Sequence, residues 1–354
     1  MTETLVSYSL IAVYSAMAIY TLAFVMFAVD LARRSVESKG SATGTSATGT
    51  SAAATSAASA TATGVNTASA PSVGVTARYA ESSAADGTTT VTRDDVPHDT
   101  EAARATPPRY LRLAMALTVI GWLLHVSAVV FRGVAANRVP WANMFEFTLT
   151  ATAIIVGVFL AAQFWQDLRF LGSFITGFSV LALGVGTTSF YVDVVPLPPA
   201  LQSVWLVIHV FVASLSTGFF ALAAGLSTVQ LMQARREAGK AVKLGFLDTF
   251  PPAERLETLA YRLTVVGFVM WTFTLIAGAV WAERAWGRYW GWDTKEVWTF
   301  IIWTIFAGYI HARATRGWRG SRSAWLAIVG FAAIIFNFTI VNLFFKGLHS
   351  YSGL

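Results

Sequence analysis

The sequence predicts an all-α, polytopic membrane protein with about eight transmembrane helices, and three observations carry that prediction. Of its 354 residues 55% are hydrophobic and only 12% charged, too apolar a mixture for a soluble globule of this length. The mean hydropathy is +0.58. The apolar residues gather into about eight stretches, each near the ~20 residues that cross a bilayer, at roughly 6–28, 111–131, 145–164, 169–190, 203–228, 259–281, 298–315 and 323–345. Lipid offers the backbone no hydrogen-bond partner, so each stretch is expected to be a helix.

The first stretch is expected as a retained transmembrane helix over 1–34. It lacks the basic start and small-residue cleavage site of a signal peptide, and Asp30, Arg33 and Arg34 follow it. Residues 35–108, which include SATGTSATGTSAAATSAASATATG, hold too few large apolar side chains to offset chain entropy and read as a disordered cytoplasmic linker. The remaining span, 109–354, is expected as a seven-helix membrane core. Basic residues set the orientation. They crowd alternate connections, such as Arg235, Arg236, Lys240 and Lys243, or Arg313, Arg316, Arg319 and Arg322. That excess puts these loops and the linker in the cytoplasm, with both termini outside. The sequence pI near 9.7 follows from this topology, and no nucleic-acid partner is expected. There is no cysteine, hence no disulfide and no thiol chemistry in this chain.

Three connections then face outward. FRGVAANRVPWANMFEF (131–147) is broken by Pro140 and places Glu146 just inside the third span; YVDVVPLPPALQSVW (191–205) reads as a rigid extended connector. The third, WGRYWGWDTKEVW (286–298), packs Trp286, Trp290, Trp292 and Trp298 beside Arg288, Asp293, Lys295 and Glu296. An interfacial aromatic belt is the plain reading of those indoles, and composition alone leaves it open. Gly287, Gly291 and the charged cluster go beyond what a belt needs, and such glycines permit close backbone approach to a ligand. An ion pair of Asp293 or Glu296 with Lys295 or Arg288 is the expected role of the charges.

Five histidines are candidates for metal chemistry. His98 lies in the linker. His209 falls six residues into the fifth span, about 9 Å deep by helix rise, and His349 lies in the tail KGLHSYSGL. His125 and His311 count as nearer mid-membrane, where an ionisable group is a functional candidate. No second His or carboxylate stands at helical spacing from His209 or His311, which disfavours a structural zinc with its four close ligands. Two single histidines from distant helices suit haem iron, since the porphyrin already supplies four nitrogens. The tryptophans would stack on the plate, and indole N–H groups with Arg288 would meet its propionates.

These residues resemble a known family. WGWDTKEVW is similar to the tryptophan-rich "WWD" signature of haem-handling proteins of cytochrome c maturation. With VPWANMFEF, SVWLVIHV, HARATRGW and GLHSY, the resemblance over most of 109–354 is to the CcsA-type (CcsB or ResC in some bacteria) subunit of the System II cytochrome c synthase. The resemblance implies a plasma (inner) membrane protein that exports haem b and, with a ResB-type partner, joins its vinyl groups to the thiols of a CxxCH apocytochrome c. It thus implies holocytochrome c synthase (haem lyase) activity as part of a complex. It implies that His209 and His349 are axial ligands of the outer haem, and that His311 binds haem inside the bilayer with the opposite ligand from the ResB-type partner. It implies further that the segment 283–298 positions the outer haem through Trp286, Trp290, Trp292 and Asp293, with Trp298 and Arg288 expected among the binding residues. His125 and the first helix with its linker are not covered. Lacking cysteine, the chain depends on separate thiol-reducing proteins, and lipid surrounds it. Two other classes stay open: a membrane b-type electron carrier, in which only His125 and His311 could pair, and a transporter of another amphipathic substrate.

Overall fold

The computed structural model describes residues 2–44, 109–240 and 245–349. Among these the chain is helical throughout, without a strand: α1 (Thr2–Gly44), α2 (Arg109–Ala136), α3 (Met144–Ala162), α4 (Gly172–Ser189), α5 (Val204–Glu237), α6 (Ala253–Trp286), α7 (Thr294–Thr315), α8 (Ser321–Phe338) and the short α9 (Ile340–Phe344). Most of the expected linker, 45–108, lies outside the described residues, as does His98. Its first ten residues, 35–44, belong to α1. No proline interrupts SVESKGSATG, and extending a helix already nucleated costs little.

Seven helices among the described residues are long and apolar enough to cross a membrane. The eighth expected span, α7, is a 22-residue helix that does not join them. Its threonines, Tyr309, His311 and indoles lower its hydropathy, although the aromatic rings still bury large apolar surfaces.

Two helices form the axis of the bundle. The most enclosed helix, α3, packs against α2, α4 and α5; α5 packs along α6 and against α8 as well as α3. Asn143 starts α3 by accepting a hydrogen bond from the Glu146 N–H (2.9 Å), and Ser203 starts α5 by accepting from the Trp205 N–H (3.2 Å), the usual service of a short polar side chain at an N-cap. Along α5, Phe220 stacks on Phe306 of α7 at 3.7 Å and meets Trp271 of α6 edge-on at 6.2 Å. These rings with Ile302 and Ile334 form one core cluster. The outward faces of α2 and α6 carry exposed Ile120, Leu123, Val269 and Ile276, as suits helices with lipid for solvent.

Two buried carboxylates tie the helix ends. At the tryptophan-rich end, Glu146 (0% exposed) accepts from Arg132 Nε at 3.1 Å and Arg138 Nη1 at 2.6 Å, while Arg132 Nη2 donates to the Val192 carbonyl at 2.5 Å. One carboxylate therefore joins the α2–α3 connection to the proline-rich segment after α4. At the opposite end, Glu257 of α6 accepts from Arg313 of α7 at 2.8 Å and from the Gly320 N–H before α8, also at 2.8 Å. Both arrangements satisfy the oxygens of a buried charge several times over, which its removal from water requires.

Candidate functional site

The chemistry-bearing residues converge on a cavity of about 510 Å³ at the tryptophan-rich end, within the size range of ligand pockets. Its walls are apolar over most of their extent and come from α3 to α9, with Trp141, Trp271, Trp281, Tyr289 and Trp290 among them. Both His209 and His349 line it. The sequence placed both near the outer end, but only the fold brings them to one space.

Each imidazole is held through one nitrogen. His209 Nδ1 donates to the Thr274 carbonyl of α6 at 2.9 Å. His349 Nδ1 donates to the Asp293 carboxylate at 2.7 Å, and Asp293 also accepts from the Leu348 N–H at 3.1 Å. In both rings Nε2 is the nitrogen without a protein hydrogen bond among the described residues. Orientation of an imidazole by a carbonyl or carboxylate on the far nitrogen is the arrangement that metal-ligating histidines use. The hydrogen bond from His349 holds the Asp293 carboxyl below the usual carboxylate range. Asp293 thus serves His349; the expected ion pair with Lys295 or Arg288 is not formed among the described residues. Glu296 likewise turns to the backbone, accepting from the N–H groups of Gly291 (2.8 Å) and Asp293 (3.0 Å). Those groups lie at the start of α7, where a carboxylate both caps the backbone and opposes the helix dipole.

One indole joins the two histidines. Trp281, fixed by its Nε1–H donating to the Ala200 carbonyl at 3.0 Å, stacks on His209 (6.0 Å, 15°) and meets His349 edge-on at 5.4 Å. Trp281 was not among the sequence candidates, because it reads as the last residues of an apolar span; the small residues Ala277, Gly278 and Ala282 around it were the available signal. Trp286 wedges behind, 4.8 Å from Trp281 and 4.7 Å from His349. Trp290 is the residue of the expected tryptophan set that lines the cavity. Trp292, at φ 60° and 77% exposed, stands outside and meets Trp290 edge-on. Trp298 packs on Phe336 of α8 at 4.4 Å, away from the cavity wall.

Arg288 is also displaced from its expected role. A Cβ on Gly291 would fall 0.6 Å from Arg288 Nη1, so the guanidinium lies directly over that glycine, and Arg288 does not line the cavity. Gly291 thus makes room for Arg288, and Gly287, at φ 69°, ends α6; neither brings backbone to a ligand as expected. The glycine that does shape the site is Gly278 of α6, where a Cβ would stand 2.7 Å from His209 Cε1. Gly278→Ala is therefore expected to displace the imidazole and to destabilise the protein by about 1–3 kcal/mol. Thermal unfolding followed by tryptophan fluorescence reads this, and an unchanged midpoint would refute the close contact.

The deeper histidines part company. His125 is 0% exposed; Nε2 donates to the Leu149 carbonyl at 2.8 Å and Nδ1 faces the Tyr20 hydroxyl at 3.4 Å. With both nitrogens engaged it is a packing residue between α1, α2 and α3. His311 stands 4 residues before the last residue of α7 and 17 after its first, so it lies close to one helix end and not near mid-span. It is exposed because it follows Tyr309 by two residues, which turns it about 200° from the face that buries Ile302, Phe306 and Tyr309. The fold does not bring His125 and His311 together as a pair. Among the described residues no three His, Asp or Glu side chains converge as a bare-metal site.

A bundle of membrane-crossing helices, with two oriented imidazoles and an indole wall at one end, defines a multi-pass membrane protein with an aromatic cavity at that end. The chain belongs to the family described as cytochrome C assembly protein, which matches residues 110–349, and within it is of the CcsA type. It is 35% identical over 240 residues to the cytochrome c biogenesis protein CcsA of Guillardia theta, covering 63% of this chain and 80% of that one. To the CcsA protein of Prochlorococcus marinus it is 34% identical over 259 residues (65% and 80%), and to that of Gloeobacter violaceus 32% over 307 residues (70% and 88%). The protein is thus a multi-pass membrane protein of cytochrome c biogenesis.

Proposed function

We propose that the protein carries haem b to the outer face of the plasma membrane and, with a ResB-type subunit, presents it for covalent attachment to CxxCH apocytochrome c. The observation that carries this reading is the pair His209 and His349: both line one aromatic cavity, and each is oriented through Nδ1 with Nε2 left for iron. Two nitrogen ligands and a flat apolar surface are what an iron porphyrin asks of a protein, its other four ligands being its own. The basic residues put this end of the bundle outside.

The chemistry is addition of a cysteine S–H across each vinyl double bond. One C–S and one C–H bond form, and no net oxidation occurs. The reaction calls for reduced thiols, supplied by other proteins, and for holding the two reactants in register, so positioning by the WWD segment and the two histidines is the protein's contribution. The histidine of CxxCH then competes for the iron and draws the product away. His311, on an exposed face of α7, suits a half-site whose other ligand the ResB-type partner provides.

The test uses the chain copurified with its partner. His209→Ala and His349→Ala are expected to lose the low-spin bands of bis-imidazole haem and to stop maturing a reporter cytochrome; if both keep wild-type haem content, bands and maturation, the proposal fails. His311→Ala is expected to lower haem occupancy of the outer site, and unchanged occupancy means haem arrives by another route. Wild-type complex that holds no haem favours transport of another amphipathic substrate.

A further inference from the structure

An iron porphyrin has an anionic edge, and Arg288, the cation first matched to it by sequence, does not line the cavity. Arg288 lies over Gly291, as described. Arg284 is 65% exposed and 3.7 Å from Glu283. Arg132 and Arg138 are committed to Glu146. Among the described residues the cation that lines the cavity is Lys295, in the first turn of α7. Its Nζ donates to Asn342 Oδ1 of α9, and Asn342 lines the cavity too. No carboxylate among the described residues lies within ion-pair distance of Lys295. The two nearest in sequence are turned elsewhere: Asp293 pairs with His349, and Glu296, which also lines the cavity, takes two backbone N–H groups on Oε2 and has no hydrogen bond on Oε1 among the described residues. A half-buried ammonium at the wall of an apolar cavity, held by a neutral amide, with the Asp293 carboxylate acting on it only from beyond ion-pair distance, is an electrostatic deficit that an anion from the ligand would lessen.

Resting on the haem reading, we propose that Lys295, steadied by Asn342, receives a propionate carboxylate of the porphyrin and so sets which edge of the plate faces the first turn of α7. His209 and His349 fix the iron but leave the plate free to turn about the axis through them. A cation at one side of the cavity removes that freedom. The propionate edge lies against α7 and α9, and the vinyl edge is turned away from them. Lys295 is in this sense a positioning residue for the edge that reacts, while the iron ligation is left to the histidines.

The test is a spectral titration of the full chain, copurified with its ResB-type partner, with iron protoporphyrin IX and with its dimethyl ester, in which both carboxylates are capped. Wild type is expected to bind the free acid about tenfold or more tightly than the ester. Lys295→Met is expected to keep the low-spin bands, to lose about that factor for the free acid, and to bind acid and ester alike. Lys295→Arg is expected to restore most of the preference. A purely structural role for Lys295 would weaken both porphyrins equally and leave their ratio intact, and that outcome overturns the proposal. Equal binding of acid and ester by wild type also overturns it, without any variant having to fold. In either case, low-spin bands that vanish in His209→Ala leave the haem reading standing. If wild type gives no imidazole-ligated spectrum with either porphyrin, the haem reading falls first and this assignment with it.

Discussion

Glu146→Ala is expected to cost the protein about 3–5 kcal/mol, the loss typical of breaking a buried ion pair from one side. Arg132 is 1% exposed and would be left with its charge unpaired. The Ala142 N–H, which donates to Glu146 at 3.0 Å, would lose its acceptor as well. Three segments come apart together: the end of α2, the first turn of α3, and the chain around Val192 and Val195 that the two arginines hold. Met144 and Phe147, in that first turn of α3, belong to the cavity wall, so ligand binding should weaken along with stability. Glu146→Gln retains an acceptor for the backbone but not the charge, and should fall between the two. The chain carries 13 tryptophans and no cysteine, which makes intrinsic fluorescence the natural probe of unfolding. A loss below about 1 kcal/mol in Glu146→Ala would mean that water reaches these arginines and that the pair behaves as a surface one.

Asp293→Ala should reduce iron affinity at the outer site by about 10–100-fold, the usual penalty for removing the partner behind a ligating histidine. Asp293 accepts from His349 Nδ1 at 2.7 Å and from the Leu348 N–H at 3.1 Å, and it is also the N-cap of α7, in a capping box with Glu296. Its loss therefore frees both the imidazole and the tail that carries it. The folded bundle should survive, because losing the Asp293 side of the α7 capping box costs about 1 kcal/mol and α7 retains the cap that Glu296 provides. Haem titration should show a shift from low-spin toward high-spin bands, with thermal stability lowered only by the lost cap, about 1 kcal/mol. Added imidazole should recover the low-spin bands by supplying the second ligand from solution. Unaltered affinity and spectrum in Asp293→Ala would show that His349 does not hold iron through this arrangement.

Much of the site was legible in the residues themselves, with the roles redistributed by geometry. His209 and His349 stood out because imidazoles are rare in this chain and both can reach the outer surface of the bundle. Asp293 stood out through the tryptophan-rich signature. Its partner was not legible: ion pairing with a neighbour such as Lys295 is the natural expectation from sequence, whereas the tail folds back so that His349 takes the carboxylate. Arg288 and Lys295 are equally cationic on paper, and the turn at Gly287 sends the first over Gly291 and the second into the cavity wall. Trp281 escaped notice because an indole in an apolar run resembles ordinary packing until a neighbour's ring is placed beside it. His311 illustrates the same limit. The expected span 298–315 and α7 both end at Thr315, four residues past His311, so its place near a helix end was countable; its exposure was not, because that depends on the rotation of α7.

By itself the sequence determined that the chain is helical, that it crosses a membrane many times, and that the tryptophan-rich segment shares one end of the bundle with His209 and His349. Composition and the spacing of apolar runs suffice for this, since a bilayer requires every backbone polar group to be satisfied within its own helix and leaves few alternatives. The tertiary structure decided which nitrogen of each imidazole is occupied, which indole stands between them, and which cation reaches the cavity. Those depend on the rotation of each helix about its axis and on the path of the turns between helices. A rotation of about 100° per residue carries a side chain from one wall to another, and only packing against the other helices fixes where it stops.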